Sequence, residues 1–295
     1  MCENDHGLSE DGRRQAEELR RRLLAARRML EQADADKPTD RAEGADAELL
    51  KRLLHPDELY SSPFTRALCT ACIGLRDLVG EGRPIVVLKE VRESKNLGGA
   101  DSTGVAVGEE IRGRVLEEVR ALYEPEDEEL QREALQAVQG LPIDVSEVGD
   151  VWWGGYTGES QRDLDERIDS LLHRLRQTRG TLAGGGGASI VVGHSHFFRA
   201  LFRTLLCGVA LETIDPLIAE SLQANVLPCC GILAATLEWD KFGDCRIVEA
   251  RPLLGTLLRA AKPIDTEGTP GPPGSAPIIG GCFCNRRGDL LCPTQ

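Results

Sequence analysis

No stretch of the 295-residue chain approaches the roughly 20 uninterrupted apolar residues that a membrane-spanning helix requires, so spanning is excluded on length. Positive charge is scarce as well. The 35 basic residues stand against 48 acidic ones, and the resulting net charge of −13 opposes the field that a polyanion-binding surface needs, so nucleic acid is not an expected partner. No secretory leader stands before the first helix and the 10 cysteines are scattered, which makes reduced thiols in the cytoplasm the expected setting. There is no internal repeat. Gly184 to Gly187 lacks the Lys-Ser/Thr continuation of a phosphate loop and reads as a flexible connector. Cys282, Cys284 and Cys292 have no second pair at finger spacing, so neither a metal nor a cofactor is expected.

What is present is a hydrophobic content of 41%, ample for a real core. Ala16, Leu19, Leu23, Ala26, Leu30 and Ala33 recur at three- and four-residue spacing and predict an amphipathic helix from Ser9 to Ala33, with Ser9 as cap and the arginines on a solvated face. A polar loop is expected from Lys37 to Glu48, then a short helix through Leu54 and a strand ending at Leu59-Tyr60. Ser62 suits an N-cap and Pro63 a first helical position, which predicts a helix from Pro63 to Val79. Pro84 to Leu88 and Ser189 to Gly193 have the β-branched content of buried strands, and Gly231 to Trp239 and Cys245 to Ala250 read as late edge strands. Helices are expected over Gly108–Tyr123, Asp127–Val138, Ser160–Gln177 and Phe197–Leu206, and a region of about 100–150 reads as a cap-like insertion. Strands alternating with helices imply an α/β fold, with residues 1–255 in one domain and a Pro/Gly-rich flexible tail over 262–295.

In open α/β sheets, ligands bind beyond the carboxyl ends of the strands, where helix N-termini present free amides. Two such junctions carry reactive groups. Tyr60-Ser61-Ser62-Pro63-Phe64-Thr65-Arg66-Ala67 places the Arg66 guanidinium in a first helical turn, suited to a phosphate. Val191-Val192-Gly193-His194-Ser195-His196 places the His194 imidazole at a strand end, suited to a phosphate or a proton transfer. Ser195 reads equally as an ordinary N-cap, and His196 as an exposed capping or packing residue with a possible phosphate contact. Cys69 and Cys72 lie inside a helix and are expected to pack, and Trp152 and Trp153 read as packing or pocket-wall residues.

Taken together, the motifs resemble the histidine phosphatase (phosphoglycerate mutase-like) superfamily over about Asp5 to Trp239. Asp5-His6-Gly7-Leu8-Ser9-Glu10-Asp11-Gly12 with Gln15-Ala16 looks like the start of its first helix, and Ser61 to Ala67 like its Ser-Ser-Pro-x-x-Arg-Ala motif. Leu88 to Glu93 followed by Gly98-Gly99 is similar to the region of the acidic residue, Gly158-Glu159-Ser160 with Arg167 to the Gly-Glu-Ser element, and Val191 to His194 to the second-histidine strand. The resemblance implies a three-layer sandwich with a mostly parallel sheet and a metal-free reaction through phosphohistidine on a small phosphorylated metabolite or a phosphoprotein, hydrolysis of a phosphomonoester where water is the acceptor or a phosphomutase reaction where it is not. Arg66 would clamp the phosphoryl group, His194 stabilise its charge, and Glu93 donate the proton, with Glu90 the close competitor and Glu159 a further candidate. The family's Arg-His-Gly strand does not occur in this chain, His6 being a weak echo of it, so the first central strand is missing and the nucleophile is expected upstream of Met1. The alternative is a catalytically inactive member that binds a phosphorylated ligand or a protein.

Overall fold

The computed structural model describes residues 4–33, 41–80, 83–94, 102–123, 128–153, 158–181, 187–206 and 214–260. Two units divide the chain, Met1–Ala261 and Lys262–Gln295. The second lies outside the described residues, together with the tail cysteines, Gly98-Gly99 and most of the Gly184 to Gly187 connector.

The first unit opens with α1 (Glu10–Ala33), α2 (Arg41–Leu54), β1 (Glu58–Ser61) and α3 (Thr65–Gly74). It continues with β2 (Ile85–Val87), α4 (Glu109–Ala121), α5 (Glu128–Gln139), β3 (Ile143–Asp144), α6 (Gln161–Thr181) and β4 (Ser189–Val192). It closes with α7 (Ser195–Leu205), α8 (Pro216–Ala224), β5 (Asn225–Val226), β6 (Ile232–Trp239), β7 (Cys245–Leu253) and β8 (Arg259–Ala260). A four-stranded sheet runs in the order β3-β2-β1-β4, and each of its pairings is parallel.

The period of two along these strands builds the layers. Leu59 of β1, Ile85 and Val87 of β2, and Ile190 and Val192 of β4 face a core shared with α1, α3, α4 and α5. The intervening Tyr60, Val86 and Val191 face a second core shared with α6, α7 and α8. Helices on both faces of a parallel sheet make an α/β unit with the layering of a three-layer sandwich.

Several expectations are corrected. The helix before β1 begins at Arg41, inside the stretch expected as loop, because Leu49, Leu50, Leu53 and Leu54 give its second half an apolar stripe with Leu54 buried. The helix after β1 starts at Thr65 with Phe64 at its N-cap and ends at Gly74, a one-turn 3₁₀ helix following over Arg76–Leu78. Neither Ser62 nor Pro63 therefore holds the helical position expected of it. The region of about 100–150 contributes Val115, Val119 and Val138 to the core of α1 and α3, and its β3 extends the main sheet beside β2. α1 keeps its expected cap, the Ser9 hydroxyl accepting from the Gly12 amide at 3.1 Å. Its arginine face is less solvated than expected, since Arg20 pairs with Asp77 at 2.7 Å and Arg22 donates to the Leu254 carbonyl.

The strand expected over Ser189 to Gly193 is less buried than its composition suggests. Ser189 is exposed and Ile190, Val191 and Val192 are only half-buried, because among the described residues β4 is paired along one edge alone. β6 and β7 form a separate antiparallel hairpin. Its Ile232 packs on the same core as Ile190 and Val192, and its Leu233 and Leu237 on the same core as Val191. The hairpin and β4 thus serve both layers without pairing to each other.

α3 receives its N-terminal cap from far away. It has no capping side chain of its own, and the buried Asp5 carboxylate accepts from the Thr65 amide at 2.8 Å and the Thr65 hydroxyl at 2.9 Å. Arg114 of α4 donates to the Asp5 carbonyl at 3.2 Å, which ties α4 to the same point. Asp5→Ala is expected to lower stability by about 1–2 kcal/mol, the usual worth of an N-cap, in chemical denaturation. An unchanged midpoint would show that Thr65 finds another acceptor.

Candidate functional site

The site grows from the β1–β4 register. Ser61 lies opposite Val192, and the Ser62 amide donates to the Val192 carbonyl at 2.9 Å, so the residues that follow the two strands emerge side by side. His194 Nε2 and Ser62 Oγ share a hydrogen bond of 2.8 Å whose direction follows the imidazole tautomer. His194 is 7% exposed, and its ring meets Phe64 edge-on at 5.4 Å. The Arg66 guanidinium lies over that same Phe64 ring at 4.8 Å, while Trp152 packs edge-on against it at 5.0 Å and donates its indole N–H to the Ala106 carbonyl. Phe64 is thus the apolar post on which Arg66, His194 and Trp152 are mounted.

Glu93 comes to this place by a different route. It follows a one-turn 3₁₀ helix, Lys89–Val91, and its carboxylate accepts from the Phe197 amide in the first turn of α7 at 3.1 Å and from the Ser94 amide at 2.9 Å. Glu90, three residues earlier, instead lines an open groove with Asp169, Ser170, His173, Arg174 and Gln177 of α6. The two glutamates therefore face different surroundings, and Glu93 is the one on the His194 side.

Burial raises the Glu93 carboxyl above its ordinary value, against the lowering effect of the amides and of the His196 and Arg66 charges. Burial likewise raises Asp5. His194 is driven well below the ordinary imidazole value, first by burial and then by the charges of Arg66, Arg167 and His6. Burial thus favours the neutral imidazole of His194 and the protonated carboxyl of Glu93 near the Arg66 guanidinium.

Of the residues singled out from sequence, Arg66, His194 and Glu93 converge. His196 is exposed at the start of α7, close enough for its charge to act on Glu93. Ser195 is the first helical residue and not the N-cap, a place taken by His194 without a side-chain hydrogen bond. Glu159 is buried in ion pairs with Arg167 at 2.6 Å and Arg92 at 2.8 Å and so supports the site from behind. Cys69 and Cys72 are both buried in the core, as packing residues are.

At each helix start one first-turn amide is already taken, that of Thr65 by Asp5 and that of Phe197 by Glu93. Ser62, Asp5 and Arg167 were the contributions hardest to foresee, since each acts through a partner distant in sequence. Parallel pairing of the strands before Ser62 and His194 is the one signal from which their meeting follows.

Among the described residues no helix is long and apolar enough to cross a membrane, and no group of three or more His, Cys, Asp or Glu is placed to hold a metal ion. No known family's sequence profile matches the chain, and no curated protein matches it.

Two outcomes follow from this geometry. Because the folded His194 binds its proton less readily than the unfolded one, its contribution to stability is complete above about pH 6.5 and is lost as pH falls. Asp5 and Glu93, both raised, act with the opposite sign at lower pH, so His194→Gln isolates the imidazole. That variant is expected to lose less stability than the wild type between about pH 6.5 and 5 in denaturant titrations, and equal slopes would count against a buried neutral imidazole. Gly193 is the second case: a Cβ there would lie 2.7 Å from Val91 Cγ1 and 3.3 Å from the Val91 carbonyl. Gly193→Ala is expected to push the Lys89–Val91 turn outward and cost about 1–3 kcal/mol, the range for overpacking, in thermal or chemical denaturation.

Proposed function

We propose that this chain is a phosphoglycerate mutase-like member of the histidine phosphatase superfamily that hydrolyses a phosphomonoester, carried by a small metabolite or a phosphoprotein, through a phosphohistidine. The observation that supports the reading most is the convergence of Arg66, a buried neutral His194 held by Ser62, and a raised Glu93 carboxyl at adjoining strand ends. This is the equipment that phosphoryl transfer to a histidine and then to water needs. No metal or cofactor enters the scheme, and the cytoplasm is the setting we assign to it.

The chemistry divides into two steps. A nucleophilic imidazole nitrogen bonds to phosphorus as the ester P–O bond breaks, and protonated Glu93 gives its proton to the departing alkoxide. Arg66 and His194 hold the equatorial oxygens, whose charge grows toward the transition state. In the second step the Glu93 carboxylate takes a proton from water, the water oxygen bonds to phosphorus and the P–N bond breaks. Inorganic phosphate leaves and Glu93 is again protonated.

The chain's histidines are His6, His55, His173, His194 and His196, and none follows an arginine at a strand end. We assign the nucleophile to a strand ending in Arg-His-Gly, a motif that the 295 residues do not contain. The same census favours a second reading for the chain by itself, a module that binds a phosphorylated ligand or protein partner through Arg66 and His194 without turnover.

Binding and turnover separate these readings. A dianion beside His194 offsets the positive charges that depress its protonation, so affinity for sulfate is expected to rise as pH falls through the range in which the imidazole of the complex takes up its proton. Calorimetry should show this dependence vanish in His194→Gln and affinity collapse in Arg66→Ala; pH-independent binding would reject the site. In a chain carrying that strand, Arg66→Ala or His194→Ala is expected to slow aryl phosphate hydrolysis by about 10²–10³-fold or more. Near-normal rates in both would end the assignment. Turnover by the 295-residue chain alone would instead remove the non-catalytic reading.

A further inference from the structure

Behind Glu93 lies a closed cluster of charge. Arg167 of α6 donates from Nε and Nη2 to the two carboxylate oxygens of Glu159, at 2.7 and 2.6 Å, a bidentate fork whose side chains are 8% and 6% exposed. The remaining nitrogen, Nη1, donates to the Glu90 carbonyl at 2.6 Å and to the Arg92 carbonyl at 3.0 Å. Arg92 donates in turn to Glu159 Oε1 at 2.8 Å and to the Lys89 carbonyl at 3.0 Å. Burial and the Arg167 charge lower the Arg92 pKa to about 10.

These bonds hold one short segment. The carbonyls that Arg167 grips are those of Glu90 and Arg92, and the second belongs to the peptide that joins Arg92 to Glu93. The Glu93 carboxylate docks on the Phe197 amide, and the Arg167 guanidinium lies over the Phe197 ring at 5.2 Å. One side chain therefore fixes both the turn from which Glu93 departs and the residue on which it lands. A buried arginine satisfied on all three nitrogens has little freedom to move, and its planar fork suits this task as a lysine's point charge does not.

We infer that Glu159 and Arg167 are positioning residues for Glu93, setting the place and orientation of the proton donor without touching substrate. Glu159 neutralises and orients the guanidinium, and Arg167 transmits that orientation to the Lys89–Val91 turn. The role deepens the phosphatase reading and rests on it for the function of Glu93, whereas the mechanical link stands on the hydrogen bonds alone.

The test titrates Glu93 in the full chain, with carboxyl-labelled glutamate observed by NMR and the Phe197 amide followed in the same samples. Arg167→Lys retains charge but has no fork, and Glu159→Gln retains an oxygen acceptor without the charge. Both are expected to unfold cooperatively, to shift the Phe197 amide resonance, and to move the Glu93 midpoint down toward the ordinary glutamate value as the turn opens to water. Glu159→Gln should give the smaller shift. Folded variants with an unmoved Glu93 midpoint and Phe197 amide would overturn the inference. So would loss of the fold in both, since the cluster would then be a general support. If the shifts occur but the strand-completed protein has no phosphatase activity, the positioning link stands and the phosphatase reading fails.

Discussion

The parallel pairing of β1 with β4 is the constraint from which the site follows. Because Ser61 registers with Val192, the chain leaves both strands at one level, and Ser62 meets His194 across a 2.8 Å hydrogen bond. A slip of one residue would turn Leu59, Ile190 and Val192 out of the core they share with α1 and α3 and put Tyr60 and Val191 into it. The hydrophobic alternation that stabilises the sandwich therefore also fixes the register that brings Ser62 and His194 together. Phe64 adds the second constraint, since one buried ring supports Arg66, His194 and Trp152 together.

The two helices that begin at the site share a device. Neither α3 nor α7 has a capping side chain of its own, and each borrows a carboxylate from a distant segment, Asp5 in one case and Glu93 in the other. Such caps satisfy orphan amides and favour negative charge at a positive dipole end. They also withdraw those amides from ligand binding. Asp5 is committed to Thr65 and serves the fold. Glu93 sits at α7 with its proton affinity raised by burial, a position from which a carboxyl group exchanges a proton.

Legibility in the sequence varied with the range of the interaction. The α1 stripe and the Ser9 cap are local, as are the β-branched runs of β2 and β4, and each was readable from spacing and residue type. The N-terminal half of α2 was not, because its polar composition resembles a loop and its one buried leucine, Leu54, lies at the far end. The start of α3 was misplaced because a local cap at Ser62 is the ordinary expectation, whereas the true acceptor is 60 residues away. Arg66 and His194 were legible because each follows a strand at a helix start. Ser62 as the hydrogen-bond partner of His194, and Arg167 as the brace behind Glu93, were not, since no local pattern specifies them.

The sequence by itself determined the alternation of strands and helices, the α/β class, and the chemical types gathered at two strand ends, because periodicity and residue chemistry are carried by neighbours along the chain. Only the tertiary structure separated the surroundings of Glu90 and Glu93. Three residues apart on a tight turn, they point to different surroundings: Glu90 into the α6 groove and Glu93 onto the first turn of α7. It also decided that His194 is buried with its proton affinity lowered, that one amide at the start of α3 and of α7 is already taken by a distant carboxylate, and that among the described residues β4 is a half-exposed edge where its composition suggests a buried strand. Burial, charge proximity and edge pairing are properties of what surrounds a residue, and those surroundings exist only once distant segments have packed together.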